Sequence, residues 1–131
     1  MSGGSTADDV LSLRLPGGPE AAADARRALA TLPGDIDAPT LETMRLLVTE
    51  LIANAVTHTK VCAVGLKVVV GARSVLVEVS DAGPGFEPVA RYAGQDEASG
   101  WGLFLVERMA RQWGVLREES ATRVWFELGR A

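Results

Sequence analysis

Cysteine, histidine and lysine are scarce in this 131-residue chain: Cys62 and His58 stand alone, and only Lys60 and Lys67 among the 13 basic residues are lysine. One cysteine excludes an internal disulfide framework and any cysteine-based zinc site. One histidine leaves a protein-only zinc site dependent on carboxylates. There is no basic run, and 13 basic against 17 acidic residues give a formal charge of −4. That balance argues against direct nucleic-acid binding. No apolar stretch approaches the ~18–20 residues of a membrane span. The best candidate, Val61 to Ala72, is short and carries Lys67. Residues 1–9 lack the basic and apolar regions of a secretion signal and read as a flexible leader. The expectation is a cytoplasmic protein with no membrane contact.

Apolar residues make up 47% of the chain, enough for a real core. Its length suits one domain, expected over 10–131. Leu11, Leu13 and Leu15 alternate with polar residues and predict a strand. Pro16 to Pro19 break the chain. Ala22, Ala25, Leu29 and Leu32 form one stripe, so Glu20 to Leu32 predicts a helix, with Arg26 and Arg27 on its solvated face. A second helix starts near Asp37, which can cap it, and runs to about Thr59. Val61 to Val70 and Val75 to Val79 predict two strands joined by a turn at Gly71 to Ser74. Cys62 falls on the inward parity of the first and reads as a small core residue.

After Val79 comes Asp81-x-Gly83-x-Gly85, then an aperiodic polar stretch to Ser99. Gly100-Trp101-Gly102 opens a third helix with a stripe of Leu103, Val106, Met109, Ala110 and Trp113, which Gly114 is expected to stop. Val115-Leu116 and Thr122 to Leu128 predict a closing hairpin, with Val124, Phe126 and Leu128 inward. Trp125 lies on the opposite parity, as a half-exposed sheet residue or part of an interface. Strands and helices in this order predict an α+β fold: a two-layer sandwich with a mostly antiparallel or mixed sheet and helices on one face.

Three pieces carry possible chemistry. Glu50 and Asn54 are four apart and share a face of the second helix, in its most apolar part. They read either as a cleft, where the amide ligates Mg²⁺ and the carboxylate orients or deprotonates an attacking hydroxyl, or as a solvated helix edge. Asp81 shares the parity of Val75, Val77 and Val79, so a strand extended to it aims its carboxylate at the helix-covered side. There it can accept from an exocyclic amine such as that of adenine, with Gly83 and Gly85 admitting a flat ring. The alternative is an ordinary Gly/Pro turn. Gly100-x-Gly102 at a helix start can cradle phosphate on free amides, or be only a flexible helix start. Neither a P-loop nor a Rossmann fingerprint is present.

Together, in this order, the three pieces resemble the GHKL family of ATP-binding domains shared by DNA gyrase, a heat-shock chaperone, histidine kinases and MutL. Leu46 to Thr59 resembles the N box. Asp81 to Phe86 resembles the first glycine box, and Gly100 to Leu103 the second. The pattern is most similar to stand-alone anti-sigma-factor serine kinases and related actinobacterial regulators. The residues behind that likeness are Glu50-Leu51-x-x-Asn54-Ala55-Val56-x-His58 and Gly100-x-Gly102-Leu103-Phe104-Leu105-Val106. They are joined by Trp113-Gly114-Val115 and Val124 to Leu128.

The resemblance implies a Bergerat-type sandwich, a histidine-kinase-like ATPase domain. It implies ATP and Mg²⁺ as cofactors, with Asn54 holding the metal and Glu50 acting as general base or orienting the acceptor serine. Asp81 would bind adenine in a pocket shaped by Gly83 and Gly85. The amides around Gly100 and Gly102, with Trp101 and Leu103 beside them, would meet the phosphates. His58, one turn after Asn54, reads either as a polar residue lining the pocket or as a packing residue. Glu87 to Ser99 would be the ATP lid. Implied partners are a sigma factor and an anti-sigma-factor antagonist carrying the acceptor serine, with the chain itself a homodimer. Three features depart from the family pattern: Thr57 where a basic residue is common, Trp101 where Arg or Leu is common, and a lid with Arg91 but no lysine. They bear on phosphate transfer more than on ATP binding, and keep open a second expectation, a nucleotide-gated binding module with little or no kinase activity.

Overall fold

A computed structural model describes residues 9–32, 35–59, 63–81, 97–117 and 122–130. Among these residues five strands and three helices follow in the order β1 (Asp9–Pro16), α1 (Ala21–Leu29), α2 (Ala38–Thr59), β2 (Ala63–Val70), β3 (Ser74–Asp81), α3 (Glu97–Met109), β4 (Gln112–Arg117) and β5 (Thr122–Gly129). The strands make one sheet of order β1-β2-β3-β5-β4, antiparallel at every pairing. The α+β expectation is met, with the sheet purely antiparallel.

Period-two alternation decides which side of each strand is buried. Leu15, Val64, Leu66, Val68, Val70, Val75, Val77, Val79, Val124, Phe126 and Leu128 all face the helices and are buried. The opposite parity, with Lys67, Leu76, Glu78, Arg123, Trp125 and Glu127, is half-buried or exposed. α1 and α2 pack on the sheet, and α3 packs on α2 and β4. α2 is the central helix. Met44, Leu47, Val48, Leu51, Ile52 and Ala55 are buried on it, a stripe wide enough to touch the sheet and both other helices.

Local chemistry sets the ends. The Asp37 carboxylate accepts from the Thr40 amide at 3.1 Å and from its hydroxyl at 2.8 Å, the side-chain cap expected for α2. The Thr40 hydroxyl also lies 3.2 Å from the Gly129 carbonyl, tying the helix start to the end of β5. Gly71 donates to the Ser74 carbonyl at 2.9 Å and closes the β2–β3 hairpin.

Three expectations are corrected. α3 ends at Met109, so Trp113 and Gly114 belong to β4 instead of the helix end. Trp113 faces inward opposite Phe126 in the β4–β5 register, and Met109 is left exposed. Pairing with β5 supplies hydrogen bonds and a packing partner, and it overrides the helical spacing of the stripe. α3 also starts at Glu97, earlier than Gly100; an acidic residue at a helix N-terminus is favoured by the helix dipole. Arg26 is not a solvated side chain. It is half-buried and its Nη1 donates to the Thr49 hydroxyl at 3.5 Å, whereas Arg27 is exposed and pairs with Asp24. Asp9, expected in the leader, begins β1, while residues 1–8 and Cys62 lie outside the described residues.

Candidate functional site

Burying a polar side chain in an apolar core is costly without a compensating partner, so such residues mark either structural bonds or a site. Among the described residues, four polar side chains are buried: Thr40, Asn54, Asp81 and Thr122. Thr40 is explained by its cap. The other three lie on the helix-to-sheet side of the molecule.

Asp81 ends β3 and is 2% exposed. The strand does run on to it, so its carboxylate sits on the inner face with Val75, Val77 and Val79. It occupies the last inward row of the sheet, between Val64 on β2 and Thr122 on β5. The Thr122 amide donates to Asp81 Oδ1 at 3.4 Å. Thr122 is itself 3% exposed. Sequence reading passed over it as a mere strand start, although its parity with Val124, Phe126 and Leu128 was a legible signal of a polar residue turned inward.

Asn54 is 5% exposed and sits on α2 between the buried Leu51 and Ala55, while its neighbour Ala53 is exposed. The helix therefore turns the amide away from solvent. Glu50, one turn earlier, is half-buried. This excludes the solvated-edge reading for Asn54 and leaves Glu50 at the rim of the same face. α2 packs directly on β3, which carries Asp81.

Leu103 on α3 is fully buried and belongs to the core. Gly100, Trp101 and Gly102 lie within the first two turns of α3. In a helix beginning at Glu97 the four amides without intrahelical partners are those of Glu97 to Gly100, so Gly102 is two residues inside. His58 is in the last turn of α2. Gly83, Gly85 and the part of the expected lid over 87–96 lie outside the described residues, as do the side chains of Thr57, His58 and Trp101. Glu97 to Ser99, expected in the lid, begin α3.

The donor set can be tested against Mg²⁺ and a nucleotide. Among the described residues no group of three or more His, Cys, Asp or Glu side chains could hold a metal ion. A dedicated all-protein cage is therefore absent from them. Mg²⁺ commonly keeps several waters and takes one or two protein oxygens plus substrate phosphates, so a single amide oxygen from Asn54 fits that mode. The buried acid at the end of β3 fits a hydrogen-bond acceptor for an exocyclic amine. No helix among the described residues is long and apolar enough to cross a membrane.

Comparison with known proteins agrees with this layout. The family model of the histidine kinase-like ATPase domain matches residues 15–128. A solved structure of the RsbU and RsbW domains of Rv1364c from Mycobacterium tuberculosis superposes with a TM-score of 0.69 at 16% identity. The match covers 93% of this chain and 33% of that one, so this chain spans about a third of its length. At that identity the likeness concerns the fold. No curated protein matches the chain.

Proposed function

The chain belongs to the histidine kinase-like ATPase family, and from that membership we propose that it is an Mg·ATP-dependent protein serine kinase and anti-sigma factor of the partner-switching type. The observation that carries the reading is the pair of buried polar side chains, Asn54 and Asp81, on elements that pack together inside an otherwise apolar core. The likeness to a fold that includes an RsbW domain supports the partner-switching setting.

In this reading Asp81 accepts the adenine amino group, and the Thr122 amide at Oδ1 holds the carboxylate in place. Gly83 and Gly85 let the ring approach the backbone. The free amides at the start of α3, up to Gly100, stand beside the phosphates with Trp101 and Gly102 next to them, Leu103 backs this turn from the core, and His58 lines the pocket. Asn54 is the protein ligand to Mg²⁺, which when bound neutralises phosphate charge. Glu50 takes the proton from the acceptor serine hydroxyl as its oxygen bonds to the γ-phosphorus and the bond to the leaving ADP breaks. The acceptor is a small anti-sigma-factor antagonist. Its new phosphate adds a charge of about −2 and blocks docking. The second partner is a sigma factor, and the chain acts as a homodimer in the cytoplasm.

The experiment is phosphate transfer. The protein, with γ-labelled Mg·ATP and extract from its source, should leave an acid-stable label on a small protein, as phosphoserine does. Glu50→Ala should remove the label by ~10²-fold or more while nucleotide binding persists. ATP binding with no label would replace the kinase by a nucleotide-gated binding module, and an acid-labile label would indicate phosphohistidine.

A further inference from the structure

The helices cover one face of the sheet. On the other face, at the end where β3 finishes, lies a cavity of about 430 Å³ lined by Ser12, Arg14, Ala63, Gly65, Ser80 and Arg123. Four of these residues form one row across the adjacent strands β1, β2, β3 and β5. Arg14 opposes Gly65, Gly65 opposes Ser80, and Ser80 opposes Arg123. Three strand spacings of about 4.8 Å set the backbones of the two arginines roughly 14 Å apart, with small residues between them.

The sign of the cavity runs against that of the chain. Both ends of the row are basic, although the formal charge of the whole is −4. Asp81 also borders the cavity, but its strand parity turns the carboxylate to the core face. Arg123 is steadied by Glu78 at 3.5 Å, and Glu78 lines a neighbouring groove instead of this cavity. Arg14 is exposed and pairs with no acid among the described residues. The floor between them keeps a hydroxyl in place. A Cβ at Gly65 would lie 2.6 Å from Ser80 Oγ, so only glycine leaves that oxygen where it stands.

This donor set selects an anion. A guanidinium presents a planar fork of N–H donors matched to phosphate oxygens, and a serine hydroxyl adds one more donor. Here the donors come from two sides and from the floor. A phosphate monoester turns three acceptor oxygens in different directions and can meet all of them, whereas a flat carboxylate has two oxygens. The volume falls within the ~300–1,000 Å³ of small-molecule sites. A phosphate takes the space of only a few waters at ~30 Å³ each, which leaves room for an organic part.

We propose that this cavity binds the phosphate group of a small molecule, with Arg14 and Arg123 closing on it from the two sides and the Ser80 hydroxyl donating from the floor. The site is distinct from the nucleotide site of the proposed function, because Asn54 and the Asp81 carboxylate lie on the helix-covered side of the sheet.

Magnetic resonance on the full ¹⁵N-labelled chain tests it. Titration with glycerol 3-phosphate should shift the amides of Gly65, Ser80 and Arg123 to saturation, and glycerol alone should leave them still. Arg14→Gln should raise the dissociation constant by ~10-fold or more by removing a charged donor, and Gly65→Ala should do the same by displacing the Ser80 hydroxyl. The spectrum of each variant reports whether it is folded. Inorganic phosphate identifies what carries the group. Binding weaker than that of the ester supports an organic phosphate, and equal binding supports free phosphate in the same clamp. Succinate binding as tightly as the ester would overturn phosphate in favour of a carboxylate. Shifts that are absent, or that survive both Arg14→Gln and Gly65→Ala, would overturn the site. Shifts confined to Gly100 and Gly102 would place the phosphate at the start of α3 and overturn it equally.

Discussion

Asp81 does two things with one carboxylate. Oδ1 accepts the Thr122 amide across the β3–β5 pair, and in the proposed function the same carboxylate is the acceptor for an exocyclic amine. Asp81→Asn keeps an oxygen acceptor for the Thr122 amide while its NH₂ faces the amine donor with another donor. The expected result is a folded protein whose nucleotide affinity falls ~10²-fold or more, because a site built to hydrogen-bond rejects a mismatched group strongly. Titration with a fluorescent nucleotide, beside a thermal melt of the free protein, separates the two effects. This residue was legible in the sequence because its parity with three valines requires no knowledge of tertiary structure. The solvent-shielded side of Asn54 was not: the surrounding helix is apolar nearly all round, so its spacing could not say which side faces the sheet. Thr122 was legible by parity alone, but its value depends on pairing with Asp81 across the sheet, and strand parity does not name a neighbour.

At the scale of the element, two glycines on the outer face behave differently. A Cβ at Gly114 would lie 2.6 Å from Trp125 Nε1 and 2.9 Å from Cε2, so the indole lies against the bare backbone of β4. At Gly65 the nearest atom would be the Ser80 hydroxyl oxygen, also at 2.6 Å, with the next atom at 4.0 Å. A serine hydroxyl can rotate away, whereas an indole must shift as a whole. Gly114→Ala is therefore expected to cost about 1–3 kcal/mol, and Gly65→Ala less than about 1 kcal/mol. Urea denaturation of the two variants, followed by circular dichroism, checks the contrast. Asp37→Ala should cost about 1 kcal/mol by removing the α2 cap. The glycine at 114 also explains the misread end of α3. Gly following an apolar stripe is a helix-stop signal, and Met109, Ala110 and Trp113 continue the helical spacing of Leu103 and Val106. The same residues Trp113-Gly114-Val115 fit an edge strand, and the choice was made by β5, a partner that local sequence does not contain.

At the scale of the whole molecule, the hairpins were readable because both strands and their turn are contiguous. The central β3–β5 pairing was not, since Asp81 and Thr122 lie 41 positions apart and α3 and β4 intervene. α2 packs on β3 and α3 packs on α2, which joins the acid, the central helix and α3 into one body, so nucleotide binding should be felt as global stability. A ligand that binds only the folded chain adds about 2.7 kcal/mol at a hundred times its dissociation constant. For a domain of this size that is a rise in Tm of roughly 10 °C. Mg·ATP should give such a rise for the wild-type chain and for Glu50→Ala, whose proposed role is in transfer. It should give almost none for Asp81→Asn. ATP without Mg²⁺ should give a smaller rise, and for Asn54→Ala the difference made by adding Mg²⁺ should disappear, because the amide is the proposed protein ligand to the metal. Equal shifts for wild type and Asp81→Asn would place the nucleotide elsewhere on the molecule. A Mg²⁺ effect that survives Asn54→Ala would leave Asp81 in its role and remove Asn54 from the metal.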